Sequence, residues 1–516
     1  MKEFNTTGTC IPEMHYMVDT SAKLDQITGL IDRGKYFTIN RPRQYGKTTT
    51  LYLLERRLSG KYVVIRTSFE GIGDERFNSE KGFAEVFLLL IKKEFNYSGN
   101  RLLADFVDQN KDIGTLDVLS DFISRLCSLA EKKILLMIDE VDKSSNNQLF
   151  LSFLGMLRNK YLLRNEGKDC TFYSVILAGV HDVKNLKLKL RPDEERKYNS
   201  PWNIAVDLKV DLSFSPEEIA TMLSDYAREK NMEMDIKQIS ERIHYHTSGY
   251  PFLVSRICEI IDTEPTVSRR WEIDDVDAAV KMLLKESNPN FDSLVKNLEN
   301  NKELFAMVQS IIIDGDNVGF NVDNPVVYSG VLFGVFKDVH GKTKIGNRIY
   351  EQRIYNYMAS KIETSYVMGK REYDPYASGN GLDMEKLLLK FQQFMKENFS
   401  SRDEEFLERH GKLLFLAFIK PVINGKGFDF KEAQISEEKR LDVVITYMNF
   451  KYLVELKIWR GSEYHKKGLM QLTDYLDRED LDKGYLVVFD PKKSLEVKWK
   501  QEKLVAGGRD IFIVFV

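Results

Sequence analysis

The feature that most constrains the fold of this chain is a short apolar strand that leads into a basic, glycine-containing turn and then a helix. The strand pattern is YFTIN (Tyr36–Asn40), the turn is RPRQYGKTTT, and an apolar helical pattern begins near Thr48. Further apolar strands are predicted at Lys61–Thr67, Ile134–Ile138 and Tyr173–Gly179. Because these apolar strands alternate with amphipathic helices, the sequence predicts an α/β fold with a mostly parallel sheet covered on both faces.

Length and composition indicate a folded protein of several domains. The chain has 516 residues, of which 43% are hydrophobic and 30% charged, and its net charge of -3 provides no overall basic field for nucleic acid or an anionic membrane. The four cysteines form no CxxC pair, and no apolar run approaches the about 20 residues that a membrane span needs. We therefore expect a cytoplasmic protein without a membrane span, in which any nucleic-acid contact is a local patch.

The turn after the first strand carries the residue types that hold phosphate groups. Gly46, Lys47 and Thr48 fit the end of the pattern GxxxxGK[ST], although Arg41 stands at the position of its first glycine. In such a loop the lysine reaches the β- and γ-phosphates, and the hydroxyl of the next residue coordinates Mg²⁺. The predicted ATP-contacting residues of the loop are Arg43, Gln44, Tyr45, Gly46, Lys47, Thr48 and Thr49.

A second motif supplies carboxylates at the end of a strand. In ILLMIDEVD, five apolar residues lead into Asp139 and Glu140. Asp139 would bind Mg²⁺ directly or through water, and Glu140 would polarise the attacking water. Either motif alone is common, but the two in this order predict a site that binds and hydrolyses ATP.

These motifs together resemble the bacterial AAA-ATPase-like family, which is related to archaeal and STAND-type P-loop ATPases. In that family the loop commonly reads RPRxxGK[ST], so an arginine at Arg41 is typical there. The resemblance implies that the segment His15–Thr28 lies near the adenine and that His246–Cys258 (HTSGYPFLVSRIC) forms a helical lid motif. It also implies a sensor position at His181 or Asp182.

Changes of pattern along the chain predict its domain organisation. SPEE at 215–218 reads as a helix start, since a serine cap is followed by proline and acidic residues. A helix at Glu303–Ile313, β-like pieces in GVLFGVF and KTKIG, and a final helix in NRIYEQRIYNYM resemble a winged-helix unit, which either binds DNA or packs on the ATPase. The predicted parts are an ATPase core at 1–212, a helical lid at 213–300, a winged-helix-like unit at 301–371, a linker at 372–381 and a smaller α/β domain at 382–516.

The last domain places ionisable residues in otherwise apolar strands. Arg440–Tyr447 and Tyr452–Trp459 predict a β-hairpin with the four-residue turn MNFK. Asp442 lies in the first strand, and Glu455 and Lys457 share one face of the second because side chains alternate along a strand. Burial of such groups is unfavourable unless they bind a metal or pair with one another, so the hairpin is a candidate functional site.

The spacing of these three residues resembles the PD-(D/E)XK nuclease superfamily, over roughly residues 382–516. The resemblance implies that Asp442 and Glu455 bind Mg²⁺ or Mn²⁺ and that Lys457 acts on the attacking water or the transition state. Accessory residues implied in the same way are Glu408, Gln471 and Tyr475, the last two forming a QxxxY element.

Two functions from different classes fit the sequence. The first is an ATPase whose nucleotide state controls a metal-dependent nuclease domain acting on DNA rather than RNA. The second is a STAND-like switch or scaffold whose last domain binds nucleic acid or a partner without cleavage. The set of Asp442, Glu455 and Lys457 favours the first, because a pure binding module has no chemical need for it. A homo-oligomer is compatible with both, and the arginines considered for phosphate contact are Arg41, Arg43, Arg191 and Arg196.

Overall fold

The computed structural model describes most of the first 365 residues and parts of the remainder. The described residues are 2–141, 148–180, 202–263, 270–314, 316–365, 377–378, 381–398, 411, 414–416, 418–419, 427–430, 434–436, 439–440, 443–447, 450–459, 462–489 and 499–516. The chain divides into two compact units, one formed by Met1–Leu304 with Gly319–Glu351 and the other by Phe305–Val318 with Gln352–Val516. The predicted positions that lie outside the described residues are His181, Asp182, Arg191, Arg196, Glu408 and Asp442.

A five-stranded parallel sheet forms the centre of the first unit. Its strands are β1 Phe37–Asn40, β2 Val63–Ser68, β3 Ile134–Asp139, β4 Ser174–Gly179 and β5 Val206–Asp207, and their lateral order is β2-β3-β4-β1-β5. Every residue of β3 and β4 is buried, as expected of parallel strands covered on both faces. The predicted parallel α/β sheet is confirmed, with boundaries that differ by one or two residues.

Helices cover both faces of this sheet. They are α1 Ser21–Asp32, α2 Lys47–Leu58, α3 Glu80–Tyr97, α4 Arg101–Gln109, α5 Leu116–Leu129 and α6 Gln148–Asn165, with a 3₁₀ turn at Asp74–Phe77. One apolar cluster includes the interdigitated rings of Phe83, Phe87 and Phe153, and a second lies under α1 and α2. The sequence prediction missed α4, a short helix of nine residues.

A helical subdomain follows the sheet. It contains α7 Pro216–Lys230, α8 Ile236–Thr247, α9 Pro251–Thr263, α10 Ile273–Leu283 and α11 Pro289–Asn300, and a small parallel pair of β6 Glu233–Met234 with β7 Arg270–Trp271. At the start of α7 the Ser215 hydroxyl accepts from the Glu218 N–H at 3.2 Å, and the Glu218 carboxylate accepts from the Ser215 N–H at 2.8 Å. This reciprocal cap confirms the predicted helix start.

The next segment contains α12 Lys302–Gln309, a π-helical turn at Ser310–Asp314, α13 Pro325–Leu332, β8 Phe336–Val339, β9 Lys342–Ile345 and α14 Arg348–Ser365. The antiparallel pair β8–β9 confirms the strand predicted in KTKIG. The β-like piece predicted around GVLFGVF is present only at its end, because Asn324 caps α13 and Pro325 begins it, so that the first apolar residues of this run complete a helix. Only Phe336 of the run belongs to β8.

The second unit is built on a six-stranded mixed sheet. Its elements are α15 Met384–Asn398, α16 Ser462–Arg478, β10 Ala377–Ser378, β11 Gly381–Leu382, β12 Gly427–Phe430, β13 Gln434–Ser436, β14 Lys439–Arg440, β15 Val443–Tyr447, β16 Phe450–Ile458, β17 Lys483–Phe489, β18 Gln501–Ala506 and β19 Arg509–Phe515. The large sheet has the order β12-β15-β16-β17-β19-β18, while β10–β11 and β13–β14 form separate pairs. Strand β15 pairs antiparallel with both β12 and β16. Helix α16 then connects β16 to β17, which runs parallel to it.

The predicted hairpin exists, but its turn is shorter than expected. Tyr447 pairs with Phe450 and Thr446 with Lys451, so two residues rather than four connect β15 to β16. The sequence prediction missed α15, β18 and β19. The domain boundary predicted at 372–381 lies mostly outside the described residues and stays a prediction.

We predict opposite effects for two glycine-to-alanine substitutions in the first unit. Gly249 has φ +72°, and an added Cβ would lie 2.0 Å from the Phe214 carbonyl oxygen, so Gly249→Ala should destabilise the protein by roughly 3 kcal/mol or more. Gly155 lies within α6 with no atom near its absent Cβ, so Gly155→Ala should stabilise by about 0.5–1 kcal/mol. Urea unfolding measures both; equal effects would contradict the packing described for Gly249.

Candidate functional site

The loop between β1 and α2 is folded around the Lys47 ammonium. Gly46 has φ +78°, a left-handed conformation that favours glycine, and it turns the chain into α2. The Lys47 side chain is buried, and its Nζ donates to the carbonyl oxygens of Arg41 at 3.0 Å and Pro42 at 2.8 Å. The loop therefore holds a positive charge beside the N-terminus of a helix, where an anion is favoured.

The predicted metal ligands of the first unit lie together. The Thr48 hydroxyl donates to a carboxylate oxygen of Asp139 at 2.6 Å, and the Glu140 N–H donates to the other oxygen at 2.9 Å. Asp139 is buried at the carboxyl end of β3. A hydroxyl and a carboxylate are oxygen ligands of the kind that Mg²⁺ prefers, so these residues fit the predicted ion.

Glu140 lies at the edge of a polar cavity of about 410 Å³. Its backbone has φ +51°, a region that residues other than glycine rarely occupy and that is frequent at functional sites. Burial raises the pKa of Glu94 in the cavity wall, and the neighbouring Glu55 carboxylate raises it further. The cavity is lined by Thr48, Arg66, Thr67, Ser68, Glu70, Leu90, Lys93, Glu94, Asp139 and Glu140. Sequence reasoning missed Arg66, whose signal was a lone charge in the apolar strand VVIRT.

A second, mostly apolar cavity lies beside Gly46. It brings the loop and the first turn of α2 together with two segments that are distant in sequence, His15–Thr28 and His246–Cys258. The residues that line it include Tyr16, Met17, Val18, Leu24, Ile27, Gln44, Tyr45, Thr49, Thr50, Leu53, Phe214, Pro251, Phe252 and Ser255. The structure thus places both segments beside the loop, and the expectation that the first of them lies near the adenine stays a prediction.

The N-terminal segment also lines this apolar cavity, which sequence reasoning missed. Asn5, Thr6, Gly8 and Cys10 face it, and the Cys10 N–H donates to the Thr49 hydroxyl at 3.1 Å. The Thr6 hydroxyl donates to Glu259 in α9 at 2.9 Å. The segment is irregular and carries no periodic pattern, so the sequence offered no signal for its position.

Two arginines of the loop take part in hydrogen bonds that connect the loop to other parts of the first unit. The Arg41 guanidinium donates to the carbonyl oxygens of Asn40 at 2.8 Å and Val210 at 2.7 Å. The residue that stands in place of glycine therefore ties the start of the loop to the segment after β5. The Arg43 carbonyl accepts a hydrogen bond from the Tyr250 hydroxyl.

In the second unit, Glu455 and Lys457 form an ion pair on β16, in which the carboxylate is buried and the lysine is partly exposed. Glu455 is 0% exposed, and the Lys457 Nζ lies 2.6 Å from its carboxylate. The same Nζ lies 3.4 Å from the Gln471 side-chain oxygen, and a Cβ on Gly468 would lie 3.3 Å from Lys457 Cγ, so α16 encloses the lysine. Tyr475 is buried in the apolar cluster beneath the sheet.

The remaining predicted ligands of the second unit are not described. Asp442 and Glu408 lie outside the described residues; Val443, the first residue of β15, pairs with Val454, next to Glu455. Among the described residues, no three His, Cys, Asp or Glu side chains are grouped closely enough to hold a metal ion. Within the same residues, no helix combines the length and apolar character that crossing a membrane requires.

Comparisons with known proteins identify a family for more than half of the chain. A family profile described as an AAA-like domain matches residues 12–355. Among solved structures, the chain is similar to the Walker-type ATPase PABY2304 of Pyrococcus abyssi, with a TM-score of 0.47 and 12% identity over 68% of this chain and 99% of that one. It is also similar to the ORC2 protein of Aeropyrum pernix, with a TM-score of 0.36 and 13% identity over 69% of this chain and 98% of that one. A third similar structure is the RuvB branch migration motor of Thermotoga maritima, with a TM-score of 0.34 and 14% identity over 65% and 94% of the two chains. No curated protein matches the chain.

We predict that the ion pair of the second unit is strongly coupled. Lys457→Met removes the ammonium that lies 2.6 Å from the buried Glu455 carboxylate and should destabilise this unit by about 3–5 kcal/mol, whereas adding Glu455→Gln should restore most of the loss. Lys451→Met removes the partly exposed pair with Glu479 and should change stability by less than about 1 kcal/mol. Urea unfolding followed by amide exchange in β16 measures these three variants and the single variant Glu455→Gln. If the effects of the two single changes add up in the double variant, the two side chains do not interact.

Proposed function

Because the chain belongs to the AAA-like domain family, we propose that its first unit binds ATP with Mg²⁺ and hydrolyses it. The observation that carries this proposal is the contact of Thr48 with Asp139 at 2.6 Å, beside the buried ammonium of Lys47. This contact joins the glycine-containing loop to the acidic end of β3, two elements that are far apart in sequence. Their convergence supplies a cation, two oxygen ligands and a helix N-terminus in one place.

The two cavities suit different parts of the substrate. The apolar cavity beside Gly46 would take the base, which has two apolar faces, between the loop and the segments before α1 and within α9. The phosphates would lie over the first turn of α2. The Lys47 ammonium would then exchange the carbonyls of Arg41 and Pro42 for phosphate oxygens, which form stronger, charge-assisted hydrogen bonds.

The residues around Asp139 have separate roles in hydrolysis. Thr48 and Asp139 would hold Mg²⁺, which neutralises charge on the phosphates. Glu140 would orient the attacking water and accept its proton, since it lines the polar cavity beside Asp139. Arg66 also lines that cavity, and its guanidinium is paired with the Glu55 carboxylate at 2.5 Å.

For the second unit, we propose a metal-dependent nuclease site that acts on DNA and that the nucleotide state of the first unit controls. A carboxylate that is 0% exposed in an otherwise apolar strand supports this proposal, because ionisable groups in such surroundings are frequent at functional sites. Glu455 offers oxygen ligands that fit Mg²⁺ or Mn²⁺, and Asp442, which lies outside the described residues, is the proposed second ligand. Lys457 would stabilise charge on the reacting phosphate.

One observation favours a second candidate function, a switch or scaffold that does not cleave nucleic acid. Lys457 already neutralises Glu455 at 2.6 Å, so the pair is stable without an added cation. In that case the second unit would bind nucleic acid or a partner, and ATP would control that binding. Cleavage assays separate the two functions.

We predict different effects for two substitutions in the ATP site. Lys47→Ala removes the cation that faces the phosphates and should weaken ATP binding by roughly 100-fold. Glu140→Gln keeps that cation and should retain binding while lowering kcat by about 100-fold or more. Fluorescent-nucleotide titration and phosphate release measure them, with Lys92→Ala, an exposed lysine paired with Asp108, as the control. Unchanged binding by Lys47→Ala would refute the assignment of the loop.

We predict that neutral isosteres of the proposed metal ligands abolish cleavage but not ATP hydrolysis. Asp442→Asn and Glu455→Gln each remove a negative charge that would hold Mg²⁺ or Mn²⁺. Plasmid and linear DNA are incubated with either ion, with and without ATP, and Glu479→Gln on the surface of the same unit is the control. A parent protein that cuts neither DNA nor RNA under any nucleotide condition would leave the switch as the function of this unit.

A further inference from the structure

A chain of buried hydrogen bonds leads from the phosphate-binding loop to α14. The Tyr350 hydroxyl donates to the Asn290 side-chain oxygen at 2.8 Å, and the Asn290 amide donates to the Tyr250 hydroxyl at 3.3 Å. The Tyr250 hydroxyl in turn donates to the Arg43 carbonyl in the loop. We call Tyr250, Asn290 and Tyr350 the tyrosine–asparagine chain.

The three side chains of the tyrosine–asparagine chain are well suited to transmit a change in hydrogen bonding from one end to the other. Tyr250, Asn290 and Tyr350 are 4%, 2% and 2% exposed, so water cannot easily replace a lost partner. Burial raises the pKa of Tyr250 to about 12 and that of Tyr350 well above its usual value, so both hydroxyls remain donors at neutral pH. Each bond points in the same direction, toward the loop, and such series strengthen one another in a low-dielectric interior.

Packing contacts accompany the hydrogen bonds. The ring of Tyr250 lies edge-on to that of Tyr45, with centroids 4.7 Å apart, and Tyr45 lines the proposed base cavity. Between α13 and β8, Gly334 lies so close to Pro42 that an added Cβ would be 2.9 Å from its ring. Lys337 of β8 donates to the Ser248 hydroxyl at 2.8 Å, beside the Gly249 turn. The segment from α13 to α14 is therefore packed on the loop and on the helical subdomain.

We propose that the tyrosine–asparagine chain positions the phosphate-binding loop and couples ATP binding to the first turn of α14. This inference rests on the proposed ATP site. ATP must reorganise the carbonyls around Lys47, and Arg43, whose carbonyl is the end of the chain, follows Pro42 directly. A shift of the Arg43 carbonyl changes the bond to Tyr250 and, through Asn290, the bond to Tyr350. Because coupling between two sites is reciprocal, a change at Tyr350 must also alter the affinity for ATP.

The test compares two tyrosines that each lose one buried hydroxyl. Tyr350→Phe breaks the far end of the chain, whereas Tyr36→Phe breaks an equally buried bond from a hydroxyl to the Phe172 carbonyl. Titration with a fluorescent ATP analogue should show Kd raised about fivefold by Tyr350→Phe, which corresponds to about 1 kcal/mol, and changed less than twofold by Tyr36→Phe. Thermal unfolding shows whether Tyr350→Phe and Tyr36→Phe lower the stability of the protein by the same amount.

Amide hydrogen exchange provides the second measurement, on the parent protein itself. A non-hydrolysable ATP analogue should slow exchange at residues 348–351 in the parent and in Tyr36→Phe but not in Tyr350→Phe. Equal Kd values for the two variants would overturn the proposal and leave the chain a structural network. If Tyr350→Phe fails to fold, the parent decides, since unchanged exchange at 348–351 on ATP binding overturns the coupling. A parent that binds no ATP overturns the ATP site and this inference together.

Discussion

The candidate site of the first unit depends on the burial of one carboxylate, Asp139. A buried carboxylate is unfavourable unless hydrogen bonds satisfy it, and Asp139 receives one from the Thr48 hydroxyl and one from the Glu140 N–H. The first bond fixes the start of α2 against β3, and the second bends the chain after β3 into a left-handed conformation. The positions of Lys47 and Glu140 follow from these two bonds, so the hydrogen bonding of Asp139 sets the geometry of the proposed reaction.

The sequence predicted the central sheet and the convergence of its two motifs because both are local patterns. One apolar run precedes the turn that contains Gly46, another ends at Asp139, and both indicate buried strands; parallel strands bring their carboxyl ends to one edge of a sheet. Contacts made by irregular backbone could not be predicted in this way. The position of Cys10 against Thr49 depends on a loop without periodicity, and the role of Arg41 depends on the Val210 carbonyl, far away in sequence.

In the second unit, too, the sequence pattern predicted the two strands of the hairpin, whereas the contacts between elements could not be predicted. The alternation of β16 predicted that Glu455 and Lys457 share a face, and their ion pair agrees with that expectation. The length of the turn was mispredicted because Phe450 and Lys451 extend the ladder by two pairs. The place of Gly468, where a side chain would press on Lys457, depends on how closely α16 approaches the sheet and has no sequence signal.

In both candidate sites a lysine ammonium group already binds oxygen atoms of the protein. Lys47 binds the carbonyls of Arg41 and Pro42, and Lys457 binds Glu455. A ligand at either site therefore exchanges one set of partners for another, and the net free energy is the difference between two large terms. In the first site the displaced partners are neutral carbonyl oxygens, so the exchange for a charged phosphate oxygen favours binding. In the second the displaced partner is a buried carboxylate, so the proposed phosphate contact by Lys457 would be favoured when the proposed metal ion binds Glu455 at the same time.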